Sequence, residues 1–203
     1  QPAGWDIAGR KEVIRSLKRE DFIDYLSKHY KSENVVICIA GNITLAKAKS
    51  KVKKYFKTIT KGKSEKPAPC KESQIAPQIK LSYKKTDQTH IIIGTRAYNL
   101  FDPRRWALGL LGTILGGGMS SRLFIRIRDE LGLGYYIRAG SSLSTDHGYF
   151  EVSAGVDTKR AYEAVEAIMA ELRKVKKDGV TEKELRKAKD FIRGGTLLSL
   201  ESS

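Results

Sequence analysis

Cysteine is scarce here: two residues in 203. Cys38 lies in the apolar run VVICIAG, which predicts a buried small hydrophobe, and Cys70 lies in a polar, Pro-containing stretch that predicts exposure. Two cysteines in such different settings give no disulfide framework and point to a reducing, cytoplasmic compartment. Histidine is equally sparse. His29, His90 and His147 stand far apart, none at helical spacing from a second ligand type, so no metal ligand is assigned within the sequence. No apolar run approaches the roughly 18 to 20 residues that cross a bilayer, which predicts no membrane partner. The opening QPAGWDIAGRKEV has no basic stretch followed by an apolar one, so it is not a signal peptide. It also lacks an initiator Met, and the chain reads as a piece of a longer protein.

What is abundant is positive charge. The net charge is +15, with 30% charged and 40% apolar residues, the composition of a folded globular chain. A basic balance raises the possibility of a nucleic-acid-binding module. The lysines of KSKVKKYFK and RKVKKDG, however, spread over helix faces without interleaved aromatics, as solvated faces do. The reading is no nucleic-acid partner. Salt-dependent retention on DNA would revive that alternative.

Periodicity divides the chain. Residues 8–16 suggest a short helix or turn. REDFIDYLSKHYK repeats Phe22, Ile23, Leu26 and Tyr30 at helical spacing. VVICIAG predicts a buried strand, and Thr44 predicts the cap of a helix through Ile59. Residues 60–77 lose all period and read as a linker. QIKLSYKK and THIIIGTRAY predict two strands, and RRWALGLLGTILG a helix buried on more than one side. Gly116, Gly117 and Gly118 then let the chain take positive φ. Ser120 or Ser121 caps a helix over RLFIRIRDEL, which Leu131-Gly132-Leu133-Gly134 breaks. YYIRAGSSLS and GYFEVSAGVD form a hairpin through Asp146–Gly148. Two helices follow, the second opened by a capping box at Thr181 and Glu184. Helices in blocks and strands on short turns predict an α+β fold, an antiparallel sheet with helices on one face.

The run GGGMSSRLFIRIRDELGLGYY carries the densest pattern. It lacks the lysine of a phosphate loop. On spacing alone its glycines end one helix and let the next begin, its serines cap, Arg128 is a solvated helix residue and Tyr135 a strand aromatic. His90 reads as a strand residue with a satisfied hydrogen bond. No serine nucleophile is proposed, since no His or acid partner is placed beside Ser120 or Ser121.

GGGMSSRLFIRIRDELGLGYYIRAGS resembles the strongly patterned segment of the pitrilysin/insulinase family of zinc metallopeptidases, which includes processing peptidases. IRSLKREDFIDYLSKHYKSENVVICIAGNI is similar to the segment that closes that family's first homologous domain. Residues 78–203 look like the opening of its second, with GVTEKELRKAKDFIRGGTLLSLES as the long helix. The resemblance therefore implies three parts: 1–59 ending one domain, a 60–77 linker, and 78–203 beginning the next. It corresponds to the region called inactive because it lacks the zinc site. The family's H-x-x-E-H does not occur here. The resemblance places zinc in the full-length parent and none on this chain, which is expected to be inert alone. It also implies that Arg128 and Tyr135, seven residues apart, contact the substrate backbone and the tetrahedral intermediate. Gly116, Gly117, Gly118, Ser120 and Ser121 would line the substrate. The implied partners are a peptide or unfolded polypeptide and the missing zinc-binding half or a catalytic partner subunit. A non-catalytic structural subunit of the same family is the alternative. Two positions depart from the family pattern: Arg10, where a small hydroxyl residue is usual, and Lys18, where Ser or Thr usually caps.

Overall fold

The computed structural model describes residues 2–201. The chain divides into two compact units, one up to Ser73 and one from Gln74 onward.

The first unit carries three α-helices: α1 (Lys11–Ser16), α2 (Arg19–His29) and α3 (Leu45–Tyr55). Lys18 supplies no side-chain acceptor at the start of α2. Asp21 compensates, its carboxylate accepting the Lys18 N–H at 2.7 Å. Thr44 caps α3 as expected, Oγ1 accepting from the Lys47 N–H at 3.4 Å. Val35–Gly41 is not a strand, which corrects the expectation of a buried one. Val35 is extended (φ −117°, ψ 125°). The segment pairs with no neighbour among the described residues, so Val36 and Ile39 stay exposed and Cys38 is exposed rather than buried. High β-propensity gives extended backbone, but a strand needs a partner to complete its ladder. No described residue of this unit is buried, and the apolar faces of α2 and α3 remain open to solvent.

The second unit holds the sheet: β1 (Gln88–Arg96), β2 (Gly134–Leu143) and β3 (Gly148–Asp157), ordered β1-β3-β2 and wholly antiparallel. QIKLSYKK forms no strand, again contrary to expectation. Its alternation supplies two faces but nothing pairs with it, and Ile79, Leu81 and Tyr83 are exposed. Along β3, Phe150, Val152, Ala154 and Val156 point to the core at a period of two. Helices α4 (Arg105–Gly116), α5 (Ala161–Asp178) and α6 (Glu182–Ser199) follow the order read from sequence. Leu115 of α4 and Ala164 and Ile168 of α5 pack on the inner residues of the sheet, with Leu123, Ile127 and Leu133 completing one core. This is the α+β architecture anticipated, with helices against the sheet's inner face.

Between α4 and β2 the predicted α-helix is underwound. Phe124–Glu130 is a π-helical turn, and the Leu131 N–H reaches back five residues to the Arg126 carbonyl at 3.2 Å. Gly132 then takes φ +59°, a left-handed position that only glycine adopts readily, and turns the chain into β2.

Candidate functional site

The run from Gly116 to Tyr136 connects the C-terminus of α4 to the start of β2. Its glycines do not serve as the sequence suggested: none of Gly116, Gly117 and Gly118 takes positive φ. Gly116 instead permits close approach. A Cβ there would lie 2.1 Å from the Ala139 nitrogen, so α4 touches the backbone of β2 where any side chain would separate them. Gly118 faces the ring of Phe191 on α6. Gly116 is buried, Gly117 exposed and Gly118 half-buried.

The serines do not cap in the manner expected. Ser121 is buried and its hydroxyl donates back to the Gly118 carbonyl at 2.6 Å, closing the turn. Ser120 is exposed, and its carbonyl accepts from Lys187 Nζ at 3.0 Å. Arg122 holds the run to the helical layer. Its Nε and Nη2 donate to the two carboxylate oxygens of Glu184 at 2.5 and 2.7 Å, and Nη2 also donates to the Gly179 carbonyl. The Arg122 guanidinium draws the Glu184 carboxyl down to about 2, helped by the Thr181 N–H and hydroxyl. Glu184 is also the N3 residue of the predicted capping box, accepting the Thr181 N–H at 2.8 Å.

Arg128 and Tyr135 stand at the two ends of a pinned connection. Ile127 and Leu133 between them are fully buried, and the Leu133 N–H donates to the Ile127 carbonyl at 2.8 Å. The Leu131 carbonyl accepts from Arg160 at 3.1 Å. Arg128 is exposed, with its guanidinium carbon 4.9 Å from the centroid of the Phe124 ring. Tyr135 is 62% exposed. Among the described residues no hydrogen bond joins the two side chains.

Tyr135 owes its placement to a feature that alternation could not show. Gly134 pairs with Val156 and Tyr136 with Gly155, so Tyr135 is an extra residue with no partner in the ladder. The bulge separates the neighbouring tyrosines. Tyr136 belongs to the outer row of the sheet, and its hydroxyl lies 3.1 Å from Nδ1 of His90. His90 thus has the hydrogen-bond partner the sequence suggested.

Among the described residues no group of three or more His, Cys, Asp or Glu gathers to hold a metal ion. Histidines engage separately: His29 against Tyr25, His90 with Tyr136, His147 with Asp146. These residues do not fit a zinc site. No described helix is long and apolar enough to cross a membrane.

Comparison with known proteins agrees with the fold. Residues 16–191 match the family model described as the peptidase M16 inactive domain. An uncharacterized zinc protease of Mycobacterium leprae is 32% identical over 205 residues, 100% of this chain and 46% of that protein. The uncharacterized zinc protease YmxG of Bacillus subtilis is 34% identical over 205 residues, 98% of this chain and 48% of that protein. The chain therefore spans about half the length of the curated relatives it matches. Among solved structures, a protease from Helicobacter pylori superposes with a TM-score of 0.87 at 23% identity, covering 100% of this chain and 50% of that one. A peptidase M16 inactive domain from Pseudomonas fluorescens superposes with a TM-score of 0.83 at 22% identity, covering 95% and 47%. At these identities the superpositions speak to the fold alone.

Proposed function

The chain belongs to the peptidase M16 inactive-domain family, and from that premise we propose that it is the non-zinc portion of a zinc-dependent peptidase. In this reading residues 1–59 end one homologous domain, 60–77 link, and 78–203 begin the next. Zinc is held by residues outside this chain, in the rest of a longer protein or in a partner subunit. The open apolar faces of α2 and α3 would pack against that missing portion. The chain contributes half of a peptide-binding chamber and is inert alone.

Its part in the chemistry rests on Arg128 and Tyr135. A peptide carbonyl under attack develops negative charge on oxygen. A phenol O–H and a guanidinium N–H, held in place beforehand, are suited to receive it, and each such donor is worth about 10² to 10³ in rate. The outer part of the glycine-serine run, exposed Gly117 and Ser120 with half-buried Gly118 between them, would lie along the substrate backbone. Gly116 and Ser121 hold that run from behind. The observation that carries the reading is the exposure of both Arg128 and the bulged Tyr135 on a connection anchored by Leu133.

A direct test is cleavage of an unstructured peptide library by the full-length protein and by this chain, with and without a chelator. Cleavage by the full-length protein that the chelator abolishes, and none by the chain, supports the reading. Cleavage by this chain alone would refute it. An inert full-length protein that gains activity only on adding a zinc-bearing homologue would place the chain in a non-catalytic partner subunit.

A further inference from the structure

Three residues form one row across the outer face of the sheet. His90 of β1 and Tyr136 of β2 both pair with Gly155 of β3, one from each side. Residues directly opposite on neighbouring strands share a face. Between His90 and Tyr136 there is thus a whole strand to cross. Tyr136 crosses it because Gly155 has no side chain. A Cβ on Gly155 would lie 2.4 Å from Tyr136 Cε1 and 2.8 Å from Gln88 Oε1. The ring occupies the space a side chain would fill, and its hydroxyl reaches His90 Nδ1 at 3.1 Å.

This arrangement begins one residue after the bulge. On the other flank the chain is fixed by Leu133, whose N–H donates to Ile127 at 2.8 Å and whose carbonyl accepts from Asp157 at 3.3 Å. Tyr135, with no ladder partner, sits between these two anchors. An unpaired bulge residue has two routes open to it: to stay out of register, or to slip into the ladder and shift every residue after it. The Tyr136 ring, locked across β3, removes the second route, since a slip of one residue would put Ile137 on the outer face and Tyr136 in the core.

The geometry points to His90, Tyr136 and Gly155 as a positioning set that fixes the bulge and thereby aims Tyr135. The inference deepens the peptidase reading and rests on it for the consequence in catalysis. None of the three touches the reacting atoms in this account. They act through Tyr135.

The test has two readouts. The first is amide hydrogen exchange in this chain. Tyr136→Phe and His90→Leu, which keep ring or approximate size and remove the hydrogen bond, are expected to speed exchange over residues 134–137 by about 10-fold, with Val152 and Ala154 unchanged. Gly155→Ala should do the same by displacing the ring. The second is steady-state kinetics of the full-length protein. Each of the first two variants is expected to lower kcat by about 10-fold with KM little changed, because a small misplacement of an oriented group costs rate more than binding. The double variant should be no worse than either single one. Unchanged exchange at 134–137 in both variants overturns the inference, as does unchanged kcat where Tyr135→Phe is damaging. If Tyr135→Phe itself is harmless, the catalytic reading fails, and exchange alone still decides whether the set holds the bulge.

Discussion

Arg122 and Glu184, 62 residues apart in sequence, meet as a bidentate pair at 2.5 and 2.7 Å, and the same carboxylate caps the first turn of α6. One acid thereby joins the glycine-serine run to the helical layer behind it. Their side chains are 20% and 27% exposed, so the pair is only partly screened by water. Arg122→Ala is expected to lower stability by about 2 kcal/mol, the range for a hydrogen-bonded charge left without its partner. Arg122→Lys, which cannot bridge both oxygens, should recover less than half of that. Chemical denaturation of each variant checks both values.

The same carboxylate sets a pH dependence. Glu184 titrates at about 2 when folded against an ordinary value of 4.5, drawn down first by Arg122. A depressed folded value means the unfolded chain binds the proton more readily. The stabilisation is therefore complete above about pH 4.5 and lost as pH falls toward 2. Glu184→Gln should flatten the stability profile across that window and leave the profile between pH 6 and 8 parallel to that of the unaltered protein. Asp102, held down to about 2 by Arg104, keeps its own share of the slope, so a slope between pH 4.5 and 2 no smaller than that of the unaltered protein would contradict the assignment.

Two glycines should respond to alanine in opposite directions. At Gly116 the new methyl would fall 2.1 Å from the Ala139 nitrogen, against backbone that has nowhere to go. Gly116→Ala is expected to cost about 3 kcal/mol or more and to loosen α4 from β2. At Gly195, in the interior of α6, a Cβ meets nothing within 4 Å. Gly195→Ala should stabilise by about 0.5–1 kcal/mol through helix propensity. Thermal melts of the two variants separate a glycine kept for contact from one that is not.

The elements that carry their own evidence were legible in the sequence. β1, β2, β3 and the long helices have strong periods, and the hairpin turn and the Thr181 box name their own ends. Val35–Gly41 and residues 78–85 looked equally convincing as strands, and pattern alone cannot say whether a partner exists. Arg128 and Tyr135 stood out only through a family pattern, because an exposed arginine and a strand tyrosine have no local signature of use. The Arg122–Glu184 pair and the reach of Tyr136 to His90 depend on residues brought together from 62 and 46 positions away, and the Tyr135 bulge on how Gly134 and Tyr136 pair with Val156 and Gly155. Gly155 was the one available signal: a glycine inside a strand marks a place where something comes close.

The measurement that bears most directly on the central claim is the turnover of the full-length protein on an unstructured peptide, with Tyr135→Phe and Arg128→Lys beside the unaltered sequence. Tyr135→Phe removes a single hydroxyl from an exposed side chain and should leave stability unchanged. The account predicts a fall in kcat of about 10² to 10³ for Tyr135→Phe and a fall of at least about 10-fold for Arg128→Lys, in an activity that a chelator abolishes. Turnover by both variants equal to that of the unaltered protein would contradict it.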